Sequence, residues 1–157
     1  MVRGAFFYSS LLPLKIMLYQ GEDIKKLIPQ RDPIMMVDAL VSAEGDVCKT
    51  ELGVRESNFF IEDDQLMSEP GLIEHIAQSA SAFAGYRCVV KGEPAPVGYI
   101  GEVKKFHCYR RPAIGDVLST TITMGAEVNG ITIITGETTV NGDVVADTQM
   151  KIFTADE

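Results

Sequence analysis

The sequence predicts an α+β domain in which one antiparallel sheet wraps a single long helix. Three observations predict it. From Pro70 to Val90 the apolar residues follow a helical period, and no proline interrupts the run after Pro70 itself. Asn129-Gly130 and Asn141-Gly142-Asp143 punctuate long strand-like runs in the C-terminal part, as hairpin turns do, because Asn and Gly both accept positive φ. The order along the chain is hairpin, helix, strands, and a curved sheet closing over the helix satisfies that order.

The helix organises the rest. Leu72, Ile73, Ile76, Ala77, Ala80, Phe83, Ala84 and Tyr86 recur at three- and four-residue steps and form one broad apolar face. Pro70 suits a first turn, where its missing N–H has no helical partner, and Gly92 closes the helix. Between Ala77 and Gly85 most residues are Ala, Ser or Gly, so another element can approach the backbone closely. Glu74 lies in the first turn beside the apolar positions. A carboxylate there is solvated, hydrogen-bonded or functional, and it is the main functional candidate.

In chain order, Gly21–Ile28 predicts a short helix with acids early and lysines late, as the helix dipole prefers. Pro29 to Pro33 ends it. Ile34–Ser42 and Val47–Val54 predict a hairpin around Ala43-Glu44-Gly45-Asp46, with Cys48, Thr50 and Leu52 on one face. Residues 55–69 follow no regular period; they pair the aromatic Phe59-Phe60 with the acids Glu62, Asp63 and Asp64 and deliver the chain to the helix, as site-forming loops do. A plain cover for the core has the same composition. After the turn at Gly92–Pro96, Val97–Tyr109, Asp116–Val128, Ile131–Val140 and Val144–Thr154 read as four strands of an antiparallel meander. Such a sheet leaves an edge, which predicts a dimer.

A chain of 157 residues suits one domain with a sizeable core. Residues 21–157 form that domain, and 1–20 read as an N-terminal extension with Met17 as the natural start. Ser9, Ser10, Pro13 and Lys15 break the early apolar run, which lacks a signal-peptide cleavage site and is too short to span a bilayer. Cys48, Cys88 and Cys108 show neither paired spacing nor a CxxC, which predicts a reducing, cytoplasmic setting. The net charge of −8 argues against nucleic-acid binding. Positions 87–111 nevertheless hold six basic residues against two acidic ones, a net of +4, which leaves −12 elsewhere. That segment suits an acidic partner or a phosphorylated ligand, and equally a strand edge whose charges discourage aggregation.

Leu27-Ile28-Pro29-Gln30-Arg31-Asp32-Pro33-Ile34-Met35-Met36-Val37-Asp38 resembles the "LPHRxPxLLVD" opening of the hot-dog 3-hydroxyacyl-acyl-carrier-protein dehydratases. Phe59-Phe60, Pro70-Gly71, Glu74-His75-Ile76-Ala77-Gln78 and Arg111-Pro112 through Gly115-Asp116 follow in that family's order and at similar spacing, so the resemblance runs from residue 24 to the end. The run Glu74 to Gly85 is most similar to the "E-x-x-A-Q-x-x-A-x-x-A-G" form of the divergent dehydratase-like proteins of aryl-polyene and related pigment clusters, with Ser81 at the second alanine. The resemblance implies a hot-dog fold and a substrate flanked by a loop histidine and by a helix glutamate of the other protomer. The glutamate carries over to Glu74 and the helix glutamine to Gln78. The loop histidine does not; its position falls at Asp63 or, with the loop before Glu74 two residues shorter, at Asp64, and Gln30 replaces the histidine of the opening motif.

Dehydration of a 3-hydroxyacyl thioester needs a base for the α-proton, an acid for the leaving hydroxyl, and donors to the thioester carbonyl. Glu74 is the expected acid or base, with Asp63 as the second catalytic candidate. Gly71 offers its N–H at the positive helix end, and Gln78, one turn beyond Glu74, can orient it. Phe60 and Tyr99 complete the expected substrate-binding set. Consecutive helix residues point about 100° apart, so His75 is expected at an interface or surface rather than in the site. His107 and Cys108 face opposite sides of a strand and make a poor base and nucleophile pair.

No metal-ligand spacing or cofactor fingerprint occurs, so no cofactor is expected beyond the phosphopantetheine that carries the substrate. Arg87, Lys104, Lys105, Arg110 and Arg111 are the expected docking residues for an acidic acyl carrier protein. The expected assembly is a homodimer or higher oligomer, or a heterodimer with a histidine-bearing hot-dog protein that receives Glu74 across the interface. Two other functions fit the same residues: a hot-dog acyl thioesterase, in which the carboxylate activates water, and a non-catalytic acyl-binding subunit.

Overall fold

A computed structural model describes residues 16–95 and 97–154. Most of the expected N-terminal extension, residues 1–15, lies outside the described residues. Tyr19–Gln20 form β1, so the sheet begins two residues before the domain boundary expected at Gly21. A short 3₁₀ helix (Gly21–Lys26) precedes the hairpin of β2 (Ala39–Glu44) and β3 (Val47–Gly53). The helix α1 (Glu69–Val90) follows, and then β4 (Gly98–Cys108), β5 (Val117–Val128), β6 (Ile131–Val140) and β7 (Asp143–Thr154).

All seven strands join one antiparallel sheet in the order β1-β2-β3-β5-β6-β7-β4. The four-strand meander is therefore corrected to three strands. β5 pairs along its full start with β3, from Gly53↔Val117 to Val47↔Thr123, so β6 and β7 extend the sheet away from β3 and β4 docks last, on β7. Periodicity defines which residues form a strand; it does not define the strand's neighbour. Both Asn-Gly turns have the conformation their sequence favours, with positive φ at Asn129, Gly130, Asn141 and Gly142.

The helix lies on one face of this sheet, the hot-dog arrangement. Ile76, Phe83, Ile122, Ile134 and Met150 form one core cluster with Leu27 and Leu40, and Leu72 joins Leu52, Leu118 and Val145 in another. Two glycines let other elements approach α1 closely. A Cβ at Gly136 would stand 2.5 Å from Ile76 Cγ2, so the sheet reaches the helix there only because β6 carries no side chain. Gly85 seats against the Leu27 carbonyl, so at this point the small-residue face of the helix receives the chain after the 3₁₀ helix rather than the sheet.

The expected strand over Ile34–Ser42 starts only at Ala39. Its first residues are diverted by side chains: Asp38 Oδ2 accepts from Gly53 N and the carboxylate pairs with Arg55, while the backbones of Ile34 and Met36 bond to α1. That diversion builds the candidate site.

Candidate active site

Ser68 opens α1 as its N-cap and Pro70 occupies the first turn, which fixes where Glu74 and Gln78 point. Four residues apart, they share a face. Gln78 is buried and uses its amide fully: Nε2 donates to Glu74 Oε1 (2.8 Å) and to the Ile34 carbonyl (2.9 Å), and Oε1 accepts from the Met36 N–H (2.6 Å). Glu74 is half-buried, with one carboxylate oxygen held by Gln78. The expected orienting role of Gln78 has this geometry.

His75, expected at an interface or surface, is completely buried. Its ring points from α1 toward the sheet, where Nδ1 lies 2.6 Å from the Met36 carbonyl and Nε2 2.7 Å from Thr120 Oγ1. A carbonyl only accepts, so Nδ1 carries the proton and Nε2 accepts from the threonine. Thr120 in turn lies 2.7 Å from Thr138 Oγ1 on the neighbouring strand. Burial pushes the imidazole down from 6.5 to about 4, which keeps it neutral near pH 7. His75 escapes sequence reasoning because a helical angle to Glu74 says nothing of what the sheet offers on the other side. Thr120 and Thr138, polar and directly paired on core-facing positions, were the available signal.

The Gly71 N–H is engaged by the cap, donating to the Ser68 carbonyl (3.0 Å) and, more weakly, to Ser68 Oγ (3.4 Å). Gly71 also allows the loop to seat, since a Cβ would stand 2.6 Å from Phe60 Cβ. Phe60 packs on the core cluster around Leu72 and meets the exposed Phe59 edge-to-face at 5.1 Å. Asp63 is exposed at the loop tip, between two carboxylates that are both taken. Arg111 binds Asp64 (2.6 Å) and Glu62 (2.9 Å) while donating to the carbonyls of Met67 and Leu66. The guanidinium holds the Asp64 carboxyl below the usual range.

Tyr99 is exposed on β4, opposite Phe153. The five expected docking residues do not form one patch. Arg87, in the last turn of α1, donates to Gly45 O and Asp46 and lies 4.4 Å over the Phe83 ring. Arg111 bonds to Met67 before the first turn, some 20 residues and about 30 Å of helix away. Arg110 pairs with Asp116 and Lys104 with Glu102. Lys105 lies on the outer sheet face beside His107, which pairs with Asp147 at 2.8 Å. That face holds a groove of about 530 Å³, on the opposite side of the sheet from α1 and Glu74. Cys108 shares no site with His107; burial raises its thiol, so it is not an activated nucleophile. Among the described residues no group of three or more His, Cys, Asp or Glu side chains is placed to hold a metal, and no helix is long and apolar enough to cross a membrane.

A sheet wrapped around one helix defines a hot-dog protein, and here a glutamine-held carboxylate stands on that helix. The chain belongs to the ApeP-like family, described as ApeP dehydratase, whose model matches residues 22–157. It is similar to the 3-hydroxyacyl-[acyl-carrier-protein] dehydratase FabZ of Vibrio atlanticus (strain LGP32), with 31% identity over 139 residues, 82% of this chain and 89% of that protein. The FabZ of Syntrophotalea carbinolica is 28% identical over 138 residues, 82% of this chain and 90% of its own length. Among solved structures, a chain of the dehydratase heterocomplex ApeI:P from Xenorhabdus doucetiae shares the fold with a TM-score of 0.79 at 14% identity, covering 85% of this chain and 91% of that one.

Proposed function

We propose that this chain takes part in dehydrating 3-hydroxyacyl thioesters carried on acyl carrier protein, in the cytoplasm, as one half of a heterodimer with a histidine-bearing hot-dog protein. One observation carries the reading. The chain has two histidines, and neither is free to face Glu74: His75 has both ring nitrogens bonded in the core, and His107 pairs with Asp147 on the far side of the sheet. The carboxylate half of the chemistry is present and oriented by Gln78, and the imidazole half has to come from elsewhere.

In the reaction the α C–H and β C–O bonds break, a C=C bond forms and water leaves. Glu74 carries one of the two proton transfers and the partner's imidazole the other. Phe60 and Tyr99 contact the acyl chain, and the Gly71 N–H, at the positive end of α1, polarises the thioester carbonyl. The FabZ relatives, whose names specify substrates on acyl carrier protein, support the substrate class, and the ApeI:P structure, a dehydratase heterocomplex, supports the assembly. Edge strand β4, with exposed Tyr99, Ile100 and Val103 and no neighbour beyond it among the described residues, is the surface for pairing. Lys105 guides the carrier protein together with Arg87, Lys104, Arg110 and Arg111, the last four doing so from ion pairs with acids of this chain.

Dehydration of a 3-hydroxyacyl carrier-protein thioester, measured on the purified chain with and without the partner, tests this. Activity is expected only in the mixture and is lost in Glu74→Gln. Full activity of the chain alone overturns the heterodimer and returns Asp63 as the second catalytic group in a homodimer.

A further inference from the structure

The buried His75 has no part in the chemistry above, yet three elements converge on it. Position 75 faces the sheet between Leu72 and Ile76, where an aliphatic residue would pack without polar partners. Instead the chain carries an imidazole there and supplies Thr120 from β5 and Thr138 from β6, at paired register positions and both fully buried. The hydroxyls run in one direction: Thr138 donates to Thr120, Thr120 to His75 Nε2, and His75 Nδ1–H to the Met36 carbonyl. Below it, Ser79 donates to the His75 carbonyl at 2.8 Å and contacts Thr50 at 2.7 Å, so the histidine's own backbone is held as well.

What this assembly grips is Met36, which lies before β2 and gives its N–H and its carbonyl to side chains of α1. Met36 is the residue whose N–H holds Gln78 Oε1, and Gln78 Nε2 holds Glu74. We infer that His75 is a positioning residue for Glu74, acting through the Met36 backbone and the Gln78 amide, which together set the carboxylate's orientation. The inference deepens the proposed function and rests on Glu74 being its proton-transfer group. An amide that can rotate leaves Glu74 free to rotate with it. With Met36 clamped at its carbonyl by His75 and at its N–H by Gln78, the amide has one orientation.

The test compares His75→Leu with His75→Asn in the active mixture with the partner. Asparagine places an amide nitrogen where Nδ1 stands and keeps the donor to Met36; leucine keeps the volume alone. We expect His75→Leu to lower kcat about 10- to 100-fold with KM within about twofold, and His75→Asn to restore most of it. In the double variant His75→Leu/Gln78→Ala the loss is expected to equal that of the worse single variant, since both act through one amide. Losses that multiply, or a folded His75→Leu with unchanged kcat, overturn the inference and leave His75 a core residue only. Should His75→Leu not fold, Thr120→Val, which removes the proton donor to Nε2, takes its place with the same cycle. If the wild-type mixture shows no Glu74-dependent dehydration, the functional reading fails by itself. The positioning chain is then decided by NMR on the wild type and the variants: His75 must be the Nδ1–H tautomer, and the Gln78 side-chain amide must lose its exchange protection in His75→Leu. An Nε2–H tautomer, or an unchanged Gln78 signal, overturns it.

Discussion

The buried imidazole makes a prediction for stability against pH. Its folded value of about 4 lies below the ordinary 6.5, so the unfolded chain binds a proton that the folded chain refuses. The stability is complete above pH 6.5 and is lost as pH falls toward 4. Linkage gives about 2 kcal/mol lost by pH 5 and about 3 kcal/mol by pH 4, a large fraction of the 5–15 kcal/mol typical of a domain. The groups with depressed carboxyls, Asp64 beside Arg111 and Asp147 beside His107 and Tyr109, titrate below 3.8 and contribute in a separate, more acidic window. Urea unfolding at fixed protein concentration, at half-unit steps from pH 7.5 to 4, measures the curve. His75→Asn removes the titrating group and should flatten it over pH 6.5 to 4. A wild-type midpoint that does not move between pH 7 and 5, or an Asn variant that declines as steeply, refutes the argument that burial keeps this ring neutral.

Gly85→Ala should destabilise by about 1–3 kcal/mol in thermal or urea unfolding, against the ~1 kcal/mol gain expected of a helical glycine, because the new methyl meets the Leu27 carbonyl. Thr120→Val should cost about 1–3 kcal/mol by leaving His75 Nε2 without a donor, whereas Thr121→Val, facing the outer groove, should stay within about 0.5 kcal/mol. Arg111→Ala should lower the melting temperature and open residues 61–67 to limited proteolysis more than Arg110→Ala does, since Arg111 joins two carboxylates and two carbonyls of that loop and Arg110 a single carboxylate.

Within the site, Glu74 and Gln78 were legible because their relation is intrahelical: four residues along one helix place two side chains together whatever surrounds them. The partners of Gln78 were not. Ile34 and Met36 are more than 40 residues away, and their apolar run reads as strand until side chains from α1 take the backbone groups a strand would use. The basic segment shows the same limit. Six basic residues close in sequence read as a patch, but α1 and β4 carry them to opposite ends and faces of the molecule, where local acids pair with most of them.

By itself, then, the sequence determined what short-range chemistry determines: the helix from its period and caps, the two Asn-Gly hairpins from their tolerance of positive φ, and the carboxylate and amide on one helical face. Tertiary structure alone decided that β3 lies beside β5, that β4 closes the sheet on β7, and that His75 is a core residue wedged between a diverted loop and two threonines. The physical reason is the same in each case. Pairing and burial depend on groups brought together from distant parts of the chain, and a residue's own neighbours carry no record of them.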